Sequence, residues 1–134
     1  MDTEVKMAEF LSTPLGQWTG ILIAVLTGSF AQTMMKFGTE RAGRFGEAPV
    51  VEYLLRLMTN PFVILAIMAY GFGVIFYMLM LSRLDLSYLY PMMVALGLVF
   101  ATIVSSLVFS EQISAQRIGG IVVVILGIFL VGQS

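Results

Sequence analysis

Residues 10–35, 57–82, 86–110 and 118–134 of this chain contain no charged side chain. The first three stretches exceed the roughly 20 residues an α-helix needs to cross the hydrocarbon core of a bilayer, and the fourth meets the lower limit of about 17. A water-soluble fold has no place for so much oil. Apolar residues make up 59% of the 134 residues and charged residues 11%, where an ordinary soluble domain carries about 25% charged. In lipid, each backbone N–H and C=O must be bonded within the spanning structure, so only helices or a closed barrel survive. The short alternating strands of a barrel are not seen. The expected fold is therefore all-α: a polytopic membrane protein with four transmembrane helices and one domain over 1–134.

The punctuation of the chain sets the spans. They are expected at about 17–37, 61–82, 86–109 and 115–132. Residues 1–14 read as a short polar to amphipathic lead closed by Pro14. Its acids Asp2, Glu4 and Glu9 and its lack of a basic n-region do not fit a cleaved signal peptide. Gly38 to Asn60 is the longest polar stretch. Within it Val50, Val51, Leu54, Leu55 and Met58 recur at helical spacing, so 49–58 reads either as an amphipathic helix on the membrane surface or as an extension of the second span. Asn60-Pro61 is a helix start, with a cap residue followed by proline at the first helical position. Arg83-Leu84-Asp85 and Ser110 to Ser114 are tight connections, so neighbouring helices form antiparallel hairpins. Lys36, Arg41, Arg44, Arg56 and Arg117 fall on one side and Lys6 and Arg83 on the other. The positive-inside rule puts the first and third loops in the cytoplasm, by a margin small enough to suit a dual-topology protein too.

Composition also removes function classes. The chain has no cysteine and no histidine, so disulfides and the usual zinc or haem ligands are excluded, and neither metal nor cofactor is expected. The 7 basic and 8 acidic residues nearly cancel, which gives no reason to expect nucleic acid as a partner. No nucleophile–base set suggests an enzyme.

The polar residues left inside the apolar stretches are the candidate site. At about 100° per residue, Ser29, Gln32, Thr33 and Lys36 fall within roughly a 100° arc of helix one. A polar stripe at membrane depth is costly in lipid and should face a cavity or a partner helix. It either lines a pathway in which Lys36 meets an anion such as a phosphate, or Lys36 snorkels while Gln32 bonds a neighbouring helix. Tyr70, Gly73 and Tyr77 share a face of helix two. Helix three opens Ser87-Tyr88-Leu89-Tyr90-Pro91, where Pro91 removes a donor and is expected to kink the helix. Tyr77 and Tyr90 beside that kink suit a binding cavity, or else anchor at the interface. Gly97, Ala101 and Ser105 on helix three, and Gly120 and Gly127 on helix four, form rows of small residues for helix packing or a dimer contact. Glu111 and Arg117 are expected to pair across the start of helix four. No carboxylate sits within a span, which argues against proton antiport within this chain.

The run Leu84-Asp85-Leu86-Ser87-Tyr88-Leu89-Tyr90-Pro91, the small-residue helix after it, Phe109-Ser110-Glu111-Gln112-Ile113-Ser114, Gly120 with Gly127, and Ala31 to Phe37 together resemble the four-helix branch of the drug/metabolite transporter superfamily. Small multidrug resistance proteins carry a glutamate in mid-helix one; the matching position here is Gly28. The chain is more similar to subunits that flip aminoarabinose linked to undecaprenyl phosphate, which also lack that glutamate and carry a Tyr-Pro pair, matched by Tyr90 and Pro91. The loop 38–60 is longer than that branch leads one to expect. The resemblance implies a transporter, not an enzyme, in the inner membrane. It would work among membrane lipids as a homodimer or with a paralogous four-helix subunit. Its substrate would be a polyprenyl-phosphate-linked sugar or similar amphipathic anion, bound by Lys36, Gln32, Ser29, Thr33, Tyr77 and Tyr90 between subunits. The alternatives are a cationic drug exporter and a non-transporting structural or regulatory subunit.

Overall fold

The computed structural model describes residues 1–133, and every regular element among them is a helix. In chain order these are α1 (Asp2–Ser12), α2 (Pro14–Ala42), α3 (Val50–Met58), α4 (Pro61–Leu81), α5 (Leu86–Val108) and α6 (Ala115–Gln133). Helices α2, α4, α5 and α6 are long and apolar enough to cross a membrane. Large apolar side chains such as Phe72, Leu107, Val123 and Phe129 are more than half exposed, which only a lipid environment makes favourable. The chain is a multi-pass membrane protein with four spans.

Two local expectations need correction. The polar to amphipathic lead is itself helical over α1, and Pro14 opens α2 rather than ending what precedes it. Thr13 is extended (φ −79°, ψ 151°) and its Oγ1 accepts from the Gly16 N–H at 3.1 Å. Proline then takes the first turn, where its missing N–H would have had no helical partner. The helix also continues past Phe37 through Thr39, Glu40 and Arg41, stopping at Gly43, whose φ of 89° suits glycine. Residues 50–58 form a helix separate from the second span, because Thr59 and Asn60 interrupt the helix between α3 and α4.

Asn60 does two jobs at that break. Its Oδ1 accepts from the Phe62 N–H at 2.9 Å, and its Nδ2 donates to the Gly38 carbonyl of α2 at 3.3 Å. Asn60→Ala removes the cap and the cross-link together. It should lower stability by about 1–2 kcal/mol, read as a fall in the melting midpoint of the detergent-solubilised protein.

The packing centre is the antiparallel pair α2 and α4. Gly16, Gly20 and Ala24 recur every four residues along α2 and are all buried. A Cβ on Gly20 would lie 2.5 Å from Met80 Sδ, and one on Gly73 2.5 Å from Thr27 Oγ1. Close backbone approach of this kind is what holds helices together where water exclusion gives no drive. Ile21, Val25, Met80 and Leu89 form the buried cluster beside it. Helix α5 rests on α2, barely touches α4, and carries α6 on its far side. None of the described residues of α6 is buried. Open space surrounds the Cβ positions of Gly97, Gly120 and Gly127.

Candidate functional site

Hairpin connectivity makes α2 and α5 run in the same direction, so the ends bearing Lys36 and Phe109 lie together. Because α5 leans on α2 and hardly meets α4, a groove opens among the three. One chamber of it holds about 590 Å³ and is walled by Gly28, Ser29 and Gln32 of α2, Tyr70, Gly73 and Tyr77 of α4, and Tyr90, Gly97 and Ala101 of α5. Ser29, Gln32 and Ala101 also wall a smaller chamber of about 230 Å³, which reaches Thr33, Lys36, Ser105, Phe109 and Glu111. At the other end Tyr77 and Tyr90 are shared with a depression bordered by Ser87 and Pro91. The polar stripe and the aromatic face read from the sequence thus line one track.

The individual positions differ in what they offer. Ser29 is buried, with 8% of its surface exposed. Thr33 Oγ1 donates to the Ser29 carbonyl at 2.8 Å, which occupies its proton within the helix. Gln32 is exposed towards the chamber, Tyr77 is half-buried, and Tyr90 is exposed. Helix α5 continues through Pro91, and the missing N–H deprives the Ser87 carbonyl of its usual i+4 donor. The row Gly97, Ala101 and Ser105 faces the two chambers, so the close small-residue packing in this chain lies on α2 and α4 instead.

Lys36 has a partner that the sequence reading assigned elsewhere. Its Nζ donates to Glu111 Oε1 and stands 4.1 Å above the Phe109 ring. The expected Glu111–Arg117 pair is not formed: the Arg117 backbone N–H instead donates to Ser114 Oγ at 3.2 Å, a helix cap. Glu111 reaches Lys36 because Ser110 adopts a left-handed φ of 52° and the Glu111 N–H bonds the Ser105 carbonyl at 3.2 Å, which turns the chain back over the end of α5. Rings continue the contact. Phe109 lies 4.9 Å from Phe37, Phe37 5.9 Å from Phe62, and the Arg41 guanidinium 4.4 Å over Phe62. Cation–π contacts of this geometry contribute about 0.5–2 kcal/mol.

Chemically, the groove offers hydrogen-bond donors and rings. Lys36 is its only cation and Glu111 its only anion among the lining residues of the three chambers. Among the described residues no acidic cluster could hold a metal ion. Tyr70, Ser87, Phe109 and Glu111 also line the groove, beyond the residues expected to bind substrate. Tyr70 shares a helix face with Tyr77, and Glu111 ends a helix parallel to the one that carries Lys36; both signals were present.

No family model matches the chain, and no solved structure matches it. Curated proteins do. A protein of Pseudomonas fluorescens (strain Pf0-1), named probable 4-amino-4-deoxy-L-arabinose-phosphoundecaprenol flippase subunit ArnE, is 37% identical over 78 residues, covering 58% of this chain and 68% of that protein. The protein of the same name from Pseudomonas savastanoi pv. phaseolicola (strain 1448A / Race 6) is 29% identical over 116 residues, covering 87% of this chain and 96% of its own length. That from Pseudomonas aeruginosa (strain UCBPP-PA14) is 31% identical over 77 residues, covering 58% of this chain and 66%, just under two thirds, of its own length.

Proposed function

The chain belongs to the family of 4-amino-4-deoxy-L-arabinose-phosphoundecaprenol flippase subunits ArnE, and from that membership we propose that it moves a polyprenyl-phosphate-linked sugar, or a similarly built amphipathic anion, across the inner membrane. The observation that carries this reading is the graded groove: an ammonium at one end, neutral hydrogen-bonding groups next to it, then tyrosines and apolar walls. Such a substrate has the same order of parts. Lys36 holds the phosphate by a charge-assisted hydrogen bond. Gln32 and Ser29 bond sugar hydroxyls, with Thr33 fixing the helix beside them, and Tyr77 and Tyr90 offer ring faces. The prenyl tail stays in lipid along the open flank.

No covalent bond is made or broken in such a cycle, so binding and conformational change suffice. A second subunit, either another copy or a paralogous four-helix chain, closes the flank marked by exposed Gln32, Tyr70 and Tyr90; Gly120 and Gly127 on unburied α6 offer a further contact surface. By the positive-inside rule the Lys36 end faces the cytoplasm and loads there. A quaternary cation would suit the tyrosine faces but would meet the charge of Lys36 in the same track.

The test is a flipping assay in proteoliposomes with a fluorescent polyprenyl-phosphate hexose, using the chain alone and with a paralogous four-helix subunit. Protein-dependent loss of substrate from one leaflet supports the reading. Flipping no faster than in empty liposomes under both conditions overturns it.

A further inference from the structure

We propose that Lys36 and Glu111 together form a two-charge seat for an amino-sugar phosphate, in which Glu111 takes the protonated amine while Lys36 takes the phosphate. The proposal rests on the reading of Lys36 as the phosphate partner, and assigns to Glu111 the choice among lipid-linked sugars.

The smaller chamber holds two opposite charges side by side. Lys36 Nζ donates to Glu111 Oε1, and no other charged residue lines that chamber. The rest of its polar lining, Ser29, Gln32, Thr33 and Ser105, is neutral and suited to hydroxyls. A resident ion pair sets a condition on any ligand. A headgroup bearing only a phosphate draws Lys36 away and leaves a carboxylate uncompensated beside the incoming anion. A headgroup bearing only an amine leaves the ammonium of Lys36 in the same state. Parting a pair and satisfying one member is the costly case. A headgroup that carries both charges replaces both contacts at once: the pair opens, and each member meets the opposite charge on the ligand.

Placement favours this exchange. Glu111 lies in the non-helical link between α5 and α6, just after left-handed Ser110, whereas Lys36 is held within α2. The carboxylate is therefore the freer member when the pair parts. The side chains of Lys36 and Glu111 are 36% and 38% exposed, within reach of a ligand entering the chamber of about 230 Å³. A sugar ring seated between the two charges meets Gln32, Ser29 and Ser105. Phe109, whose ring lies 4.1 Å from Lys36 Nζ, offers the amine a second, weaker contact. Ethanolamine phospholipids also carry a phosphate and an ammonium on one headgroup. They bring no ring hydroxyls for the neutral groups of the chamber.

The experiment compares initial flipping rates in proteoliposomes, with the chain alone and with a paralogous four-helix subunit. Two fluorescent probes are used: a polyprenyl phosphate carrying an aminodeoxypentose, and the same lipid with its amine acetylated. Acetylation keeps the ring and the phosphate and removes the positive charge. Wild type should flip the free amine about 10-fold faster, the size of one charge-assisted contact. Glu111→Gln should move the two probes in opposite directions. It should slow the free amine and speed the acetylated form, whose phosphate no longer meets a carboxylate. Glu111→Asp keeps the charge and should keep the order of preference. A purely structural pair would slow both probes alike in Glu111→Gln. That result, or a wild type indifferent to acetylation, overturns the amine seat while flipping itself upholds the sugar-phosphate reading. No flipping of either probe by wild type under either condition removes both. Adding phosphatidylethanolamine to phosphatidylcholine vesicles tests the source of the headgroup. Unchanged rates support the sugar as occupant, and inhibition of wild type that is lost in Glu111→Gln gives the seat to the bilayer lipid and overturns the sugar assignment.

Discussion

Lys36→Ala is expected to slow flipping of the polyprenyl-phosphate hexose by about 10- to 100-fold, since a hydrogen bond to a charged group contributes about 1.5–3 kcal/mol and each 1.4 kcal/mol is tenfold. The ammonium is the sole cation lining the track, so nothing nearby substitutes for it. Truncation also leaves Glu111 without its partner at the mouth of the smaller chamber, adding repulsion against an anionic headgroup. Running the variant beside Lys36→Ala/Glu111→Gln separates the two: the repulsive part should be recovered and the missing contact should not. Lys36→Arg keeps the charge and should retain more activity than either. Initial rates of substrate protection from an external quencher are the readout. A Lys36→Ala rate within twofold of wild type would remove the phosphate seat from the account.

The largest effect on the fold is expected from Gly73→Leu. A Cβ there would already lie 2.5 Å from Thr27 Oγ1 and 3.4 Å from the Ala24 carbonyl. Thr27 is β-branched, and its hydroxyl is bonded to the Ile23 carbonyl at 2.7 Å, so it cannot swing aside as the flexible Met80 opposite Gly20 can. Overpacking typically costs 1–3 kcal/mol, occasionally more. Because α2 and α4 share the most extensive contact in the chain, about 3 kcal/mol is expected, seen as a lower melting midpoint in detergent. Gly97→Leu is the matched contrast. Nothing lies within 4 Å of its Cβ position, so stability should hold while the side chain fills the groove and flipping falls. Equal melting losses in the two variants would contradict this division between a packing glycine and a groove glycine.

Much of the architecture was legible because lipid is an unforgiving solvent. Charge-free stretches of that length have one use, and Asn60-Pro61 marks a helix start by local chemistry alone. Local chemistry also explains two misreadings. Pro14 is compatible with ending one segment or opening the next, and only Thr13, whose oxygen caps the turn, decides in favour of opening. Residues 38–42 are polar enough to look like loop, yet they continue α2 because nothing before Gly43 breaks it. The Lys36–Glu111 contact was harder to read. Glu111 has a basic residue six positions ahead in Arg117, and proximity in sequence favoured that pairing. The actual partner becomes visible only once α2 and α5 are known to be parallel neighbours. Likewise the row Gly16, Gly20, Ala24 was as regular as Gly97, Ala101, Ser105, and sequence spacing alone cannot tell a row that meets another backbone from one that faces a cavity.

The contacts of Lys36 and Arg41 with Phe109 and Phe62 gather the charges of α2 at one end of the helix. Sliding α2 along the membrane normal would drag an ammonium, a guanidinium and Glu40 into hydrocarbon, at about 2.5–3.5 kcal/mol for each such group brought to mid-bilayer. Helix α4 must stay with it, locked through Gly20 and Gly73. A slide of this pair towards mid-bilayer is therefore costly.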